Sequence, residues 1–170
     1  MADPLVLTIL AFGHILSAVG WLGASLLTGF VVGPGLQDLS APSRLEFVSK
    51  LIPRILRYVM GMIAGTFVFG LLLLYEVTGG DFSLMSPSTT FGATISGGIA
   101  LAVIALVLAV TVIFPSFYRM ASLAEEALKS GGQPPPPELM KYADRARISS
   151  MLGAVLLVLV LVLMVSAGFY

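Results

Sequence analysis

Cysteine is absent from this 170-residue chain, and charged side chains are scarce. The missing thiols exclude disulfide bonds, thiolate metal sites and thiol catalysis. Asp, Glu, Lys and Arg make up 11% of the residues, whereas a soluble globular domain has about 25%. Hydrophobic residues account for 58% and the formal net charge is zero, so no nucleic-acid partner is expected. The composition therefore predicts an integral membrane protein.

The sequence also lacks the residue patterns of common enzyme chemistries. It contains no P-loop, no dinucleotide-binding fingerprint and no Ser-His-Asp arrangement. The apolar runs hold no carboxylate, and Glu76 only adjoins the outer end of the second run, whereas an ion pump requires acidic groups at membrane depth. We therefore predict no catalytic residue and assign no enzyme class.

Four apolar runs dominate what the sequence does contain. They cover approximately residues 5–32, 55–75, 91–114 and 148–170. Each reaches the roughly 20 residues that a helix needs to cross a bilayer. They predict an all-α fold, an integral membrane four-helix bundle that forms a single domain over residues 1–170.

The basic residues indicate how these helices are oriented. All nine lie either between the first and second runs or between the third and fourth. Because basic residues collect on the cytoplasmic side, both termini and the loop at 76–90 are expected outside a plasma membrane. The two basic groups are Arg44, Lys50, Arg54 and Arg57, and then Arg119, Lys129, Lys141, Arg145 and Arg147.

Helix-breaking and helix-capping residues predict the connections. The Gly-Pro-Gly sequence at 33–35 is expected to end the first helix, and Ser43 to cap a short amphipathic helix before the second. The third helix is expected to continue past Pro115, and the fourth to begin at Glu138 after a break at 131–137. Together they predict a cytoplasmic helical hairpin extension between helices 3 and 4.

Small residues mark the faces on which the helices are expected to pack, because they let membrane helices approach closely. Gly61 and Gly65 are four residues apart on the second helix. One side of the third helix carries Gly98, Ala102, Ala105 and Ala109.

The first apolar run carries the only histidine, His14, and the only tryptophan, Trp21. At about 100° per residue, the polar side chains of this run project on one side together with the tryptophan. Polar groups at membrane depth usually face protein or a cavity, so this stripe is expected to face the other helices. It comprises His14, Ser17, Trp21, Ser25 and Thr28.

His14 is expected near the middle of the membrane, roughly 15 Å along the helix from its outer end. Three interpretations of this imidazole stay open: a neutral side chain bonded to a hydroxyl such as that of Ser96 or Thr66, a haem ligand, or a proton-relay or metal site. A six-coordinate haem needs a second axial ligand, for which Met164 is the candidate because it lies within roughly a turn of the same depth. Five-coordinate haem through His14 alone also fits.

Three segments resemble a broad group of four-helix membrane proteins. They are GHILSAVGWLGASLLTGFVVGP at 13–34, LIPRILRYVMGMIAGTFVFG at 51–70 and RISSMLG at 147–153. The group includes the HemJ-type protoporphyrinogen oxidases and the CopD-like copper-resistance domains. Its shared pattern is a histidine on helix 1, a tryptophan seven residues later and a basic link to helix 2.

The resemblance implies a b-type haem bound within the bundle, with His14 as the axial ligand and Trp21 as the tryptophan that follows it. Two features depart from the group. The third helix lacks the lysine that is essential in HemJ-type enzymes, and the chain lacks the further histidines of CopD-like domains. The implied function is therefore haem binding rather than oxidation of a porphyrinogen.

These observations predict a small membrane haem-b protein with a redox or haem-handling role. His14 is the expected iron ligand, Met164 the expected second ligand, and Trp21, Ser17 and Thr66 the expected lining of the pocket. One alternative is a cofactor-free accessory subunit that packs in a larger membrane complex. Another is a copper-handling membrane protein, since thioether ligands suit Cu(I). Membrane lipid is the expected surrounding, and either a larger complex or a homo-oligomer the expected assembly.

Overall fold

A computed structural model of the chain describes residues 3–130 and 136–168, and these are almost entirely helical. The described residues contain no β-strand, which confirms the predicted all-α class. The α-helices are α1 (Pro4–Leu26), α2 (Gly33–Gly35), α3 (Ala41–Thr78), α4 (Thr90–Leu108), α5 (Phe114–Lys129) and α6 (Pro137–Ala167). Most of the predicted break at 131–137, and the end of the predicted fourth run at 169–170, lie outside the described residues.

Four helical stretches are long and apolar enough to cross a membrane. They run over Pro4–Asp38, Ala41–Thr78, Thr90–Lys129 and Pro137–Ala167. Each contains one of the predicted runs, apart from residues 168–170, which confirms four candidate membrane helices. The third and fourth stretches extend beyond their apolar runs, over residues 115–129 and 137–147, because these segments are rich in helix formers such as Ala, Leu, Glu and Lys.

The helix ends follow from local side-chain chemistry. Asp3 caps α1, because its Oδ1 accepts a hydrogen bond from the Leu5 N–H at 2.8 Å. Thr89 caps α4 in the same way, with its Oγ1 3.0 Å from the Gly92 nitrogen. The α3 helix stops where Gly79 takes a φ of 60°, a left-handed conformation that glycine adopts without strain.

The Gly-Pro-Gly sequence does not end the first helical stretch, contrary to the prediction. A π-helical turn over Leu27–Val32 precedes Pro34, and the chain stays helical through Asp38. The Gly33 N–H donates to the carbonyl oxygen of Thr28, five residues back. Proline has no N–H and its ring collides with the carbonyl four residues earlier in a regular α-helix. The wider turn relieves that collision, so the helix continues.

A second π-helical turn, Ala109–Ile113, precedes Pro115. Here the Phe114 N–H donates to the carbonyl oxygen of Ala109. The Ser116 hydroxyl donates to the Val112 carbonyl oxygen at 2.6 Å, which supplies a partner near the position where proline lacks a donor. The third helical stretch therefore passes Pro115, as predicted.

The short amphipathic helix predicted before the second run is not a separate element. It is the first part of α3, which continues through Pro53. The cap is Ser40 rather than Ser43, since the Ser40 carbonyl accepts from the Arg44 N–H at 2.9 Å. The amphipathic character of this segment is borne out at Leu45, Val48 and Ile52, which are buried, while Leu51 is exposed.

The chain divides into two compact units. Unit 1 comprises residues 1–23, 59–105 and 156–170, and unit 2 comprises 24–58 and 106–155. All nine basic residues belong to unit 2, against six acidic ones, so its net charge is +3. Unit 1 has three acidic residues and no basic residue, so its net charge is −3.

Small residues form much of the buried surface within each unit. All four residues predicted as the packing face of the third helix are buried, and so is Ala154 on α6. In unit 2 the buried residues of α5 and α6 include Phe117, Met120, Leu123 and Ala146. The ion pair between these two helices joins Arg119 and Glu138 at 3.9 Å, and both side chains are about half exposed, so it adds little stability.

Candidate histidine site

His14 of α1 contacts α3 through its imidazole. Its Nδ1 atom lies 2.9 Å from the backbone carbonyl oxygen of Thr66. The residue is half-buried, whereas Thr66 is buried. Thr66 is thus one of the two partners proposed from the sequence, but the acceptor is its backbone oxygen and not its hydroxyl. That hydroxyl donates to the Met62 carbonyl oxygen at 2.8 Å.

This hydrogen bond fixes the tautomer of the imidazole. A carbonyl oxygen can only accept, so the proton must be on Nδ1 of His14. In the neutral ring, Nε2 then carries a free lone pair. A histidine that binds a metal through one ring nitrogen usually donates a hydrogen bond from the other ring N–H to a carboxylate or a backbone carbonyl. The geometry therefore leaves Nε2 of His14 in the state that can coordinate a metal.

Three glycines let α1 and α3 approach closely in unit 1. A methyl group added at Gly70 would lie 2.8 Å from Nδ1 and 2.9 Å from Cε1 of His14. A methyl group at Gly65 would collide with the Ser17 hydroxyl oxygen, and one at Gly13 would lie 2.9 Å from the ring of Phe69. At each of these three places a glycine on one helix packs against a side chain on the other: Gly70 against His14, Gly65 against Ser17, and Gly13 against Phe69.

The predicted polar stripe on the first helix is partly buried. Trp21 is 4% exposed and Ser17 is 8% exposed, and they are the two buried residues of α1. The Trp21 ring lies 6.3 Å from the ring of Phe67, centroid to centroid, with the planes tilted by 46°. Ser25 and Thr28 are half-buried. The part of the stripe that contacts α3 therefore consists of His14, Ser17 and Trp21.

Met164 occupies a packing position on α6. A methyl group added at Gly98 of α4 would lie 2.7 Å from Cε and 3.4 Å from Sδ of Met164. The small residue on α4 thus receives the methionine side chain. Its thioether fills the space between two helices, while the contact of His14 is with α3. The structure brings His14, Ser17 and Thr66 together, and it gives Met164 a separate contact.

Residues 3–130 and 136–168 contain no group of three or more His, Asp or Glu side chains that could hold a metal ion. A metal at this site would therefore depend on His14 and on ligands of another kind. Comparisons of the chain with models of protein families, with characterised proteins and with solved structures give no match.

Two parts of this site escaped the sequence reasoning. A spacing of four between glycines indicates Gly61 and Gly65, whereas neither Gly13 nor Gly70 has a glycine four residues away. Gly61 has nothing within 4 Å of an added methyl group, so it does not pack as that spacing suggests. What distinguishes the packing glycines is that each faces a large or polar side chain on the neighbouring helix, which only the tertiary structure shows.

Proposed function

We propose that this protein is a small, multi-pass membrane protein that binds b-type haem through His14. Its role would be in electron transfer or in the handling of haem. The observation that carries the proposal is the hydrogen bond from Nδ1 of His14 to the Thr66 carbonyl oxygen. This hydrogen bond orients the only imidazole of the chain, and it leaves the lone pair of Nε2 available to coordinate a metal.

The resemblance of the first two helices to the HemJ-type and CopD-like group supports the same function. The shared histidine is His14, which is hydrogen-bonded, and the shared tryptophan is Trp21, which is buried against Phe67. Both residues thus sit on the face of α1 that packs on α3. Membership of the group is part of the proposal.

Nε2 of His14 would be available to bind the iron of a haem. When bound, the haem would supply one-electron chemistry, with a potential that depends on the axial ligands and the surrounding dielectric. The chain's own residues would do three things. His14 would provide the axial nitrogen, the Thr66 carbonyl would hold the ring and raise its basicity, and Trp21 would exclude water from that side.

A plasma-membrane orientation with both termini outside also belongs to the proposal. It is supported by the separation of charge between the units, since every basic residue lies in unit 2. Basic residues are retained on the cytoplasmic side of a membrane. The helical hairpin of α5 and α6 would then project into the cytoplasm.

The absorption spectrum of the purified protein tests haem binding. The full chain is produced in cells well supplied with haem, solubilised in a mild detergent and purified. We expect a Soret band in the wild-type protein and its loss in His14→Ala. Phe12→Ala is the matched control, because Phe12 lies on the same helix, is 67% exposed and should leave the band unchanged.

Two further readouts separate the alternatives. Met164→Leu keeps most of the side-chain volume, so an altered spectrum would identify the thioether as the second ligand, and an unchanged one would indicate His14 alone. A colourless wild-type protein would contradict the haem proposal. If metal analysis of that protein found copper, it would support a copper-handling role instead.

A cofactor-free accessory subunit is the second candidate. Only Ser17 and Trp21 are buried on α1, so most of this helix is free to contact lipid or another protein. Large apolar side chains such as Phe12, Ile15 and Val19 are exposed along it. Mild solubilisation and native-size measurement should then give a complex larger than the 17.9 kDa chain. A stable monomer would contradict this candidate.

A further inference from the structure

A small open cavity lies within unit 2, where all four helical stretches contribute residues. Its volume is ≈ 70 Å³, several times the roughly 10–15 Å³ that one water molecule requires. Its apolar walls include the buried side chains of Ile52, Phe117 and Met120. Three polar residues also line it: Thr28, Arg147 and Ser150.

Two residues with hydroxyl groups line this cavity, Thr28 and Ser150. Several hydroxyls on the helices donate to the carbonyl oxygen four residues back, as Ser116 does to Val112 and Ser149 to Arg145. Within the parts of the chain that the structure describes, the hydroxyls of Thr28 and Ser150 have no hydrogen-bond partner. They are therefore available to a bound group.

The Ser150 hydroxyl must reach the cavity. Ser150 is only 5% exposed. Every fully enclosed side-chain nitrogen or oxygen among the described residues has a hydrogen-bond partner. Since Ser150 has none, its oxygen cannot be fully enclosed, and the cavity is the space that it lines. A buried hydroxyl without a partner is unfavourable, so a ligand there would satisfy it.

Arg147 adds a positive charge at the same place. The ion pairs within the described residues are Lys50–Glu46, Arg119–Glu138 and Lys129–Glu125, and none involves Arg147. Its guanidinium offers five N–H donors in a plane that matches an oxyanion. Arg147, which is exposed, thus lines the same small space as Thr28 and Ser150, and the remaining walls are apolar.

From this arrangement we propose that the cavity binds a phosphate oxyanion, whether the headgroup of an anionic phospholipid or free phosphate. A group with several acceptor oxygens would satisfy all three side chains at once. Apolar walls beside the donors suit the glycerol and acyl parts of a lipid. Basic pockets between membrane helices bind such headgroups in other proteins, and unit 2 carries a net charge of +3. The site does not depend on haem.

The test measures binding to the full-length protein in detergent micelles. Phosphatidylglycerol and phosphatidylcholine are titrated with native mass spectrometry as the readout, and inorganic phosphate is titrated with the NMR signal of the arginine side chains. The variant is Arg147→Gln. Its matched control is Arg145→Gln, which removes the same charge from an exposed residue of α6 that does not line the cavity.

We expect Arg147→Gln to bind the phosphate group about tenfold more weakly than Arg145→Gln. Ser150→Ala keeps the charge and the fold, and we expect it to weaken binding by a smaller factor, about threefold. Stronger binding of phosphatidylglycerol than of inorganic phosphate would identify a lipid headgroup. The reverse order would identify a free oxyanion. The proposal would be overturned if both arginine variants bound the phosphate group equally well and Ser150→Ala bound it as tightly as the wild-type protein. The cavity would then hold only water.

Discussion

The tautomer of His14 is set by a single backbone atom, the carbonyl oxygen of Thr66. In a regular α-helix this oxygen also accepts from the N–H of Gly70, four residues on, and a carbonyl has lone pairs for both bonds. Gly70 is also the residue against which the imidazole edge lies. The position of the ring therefore depends on the absence of a side chain at Gly70.

Gly70→Ala should displace the His14 ring. The added methyl group would lie within 2.9 Å of two ring atoms, so the ring must move and its bond to Thr66 must weaken. We expect a loss of about 1–3 kcal/mol in the free energy of unfolding, as for other overpacked sites. Nitrogen NMR of the imidazole should show a smaller population of the Nδ1-protonated tautomer.

Gly61→Ala is the control for that substitution. It lies on the same helix, and nothing is within 4 Å of the added methyl group. It should leave the imidazole signals unchanged and stabilise α3 slightly, by up to about 1 kcal/mol, because alanine is the better helix former. If both variants gave the same imidazole spectrum, the packing of His14 on Gly70 would be wrong.

At the scale of the helix, α1 and α3 fit each other in both directions. Gly13 of α1 receives Phe69 of α3, while Gly65 of α3 receives Ser17 of α1. Small residues opposite larger ones let the two backbones approach and fill the space between them. This reciprocal fit fixes the rotation of α1 about its axis, and hence which side His14 presents.

A double-mutant cycle measures this fit. Gly13→Ala should destabilise the protein by crowding the Phe69 ring, and Phe69→Leu should destabilise it by loosening the contact. The double variant should lose less than the sum, with a coupling of about 0.5–3 kcal/mol in the free energy of unfolding. Gly23→Ala, where nothing is within 4 Å, replaces Gly13→Ala in the control cycle. Additive losses in the test cycle would show that the two residues are not in contact.

The sequence predicted where the helices lie better than it predicted where they end and how they contact one another. The four apolar runs and the burial of the face containing Ala102 and Ala105 follow from periodicity and composition, which act locally. Periodicity and composition did not predict that the first helix continues through Pro34, because proline no longer breaks a helix when a wider turn relieves its clash. The contact of His14 with the Thr66 backbone also depends on tertiary structure, and a backbone acceptor leaves no mark in the sequence.

At the scale of the whole molecule, charge is separated between the two units. The net charges of −3 and +3 cancel in the total, so the composition alone hides the separation. For a chain that crosses a membrane four times, the even number of crossings returns the C-terminus to the side of the N-terminus. The distribution of Lys and Arg then selects the side.

Accessibility labelling tests the proposed orientation, and the absence of cysteine makes each introduced thiol unique. The two substitutions are Ser88→Cys and Ser40→Cys. Ser88 is exposed in the connection before α4, and Ser40 is exposed in the connection before α3. In intact cells, a membrane-impermeant maleimide should label Ser88→Cys and spare Ser40→Cys. In opened membranes it should label both. The opposite pattern in intact cells would reverse the orientation.

The π-helical turns at Leu27–Val32 and Ala109–Ile113 have a consequence for how this chain can change in length. A turn closed five residues back holds one residue more than a turn closed four residues back. Removing a single residue there would restore ordinary helical spacing, whereas a deletion in the middle of α3 would rotate every later side chain by about 100°. Because the wider turns relieve the collisions of Pro34 and Pro115, loss of a residue in either turn would be tolerated only together with replacement of the proline that follows it.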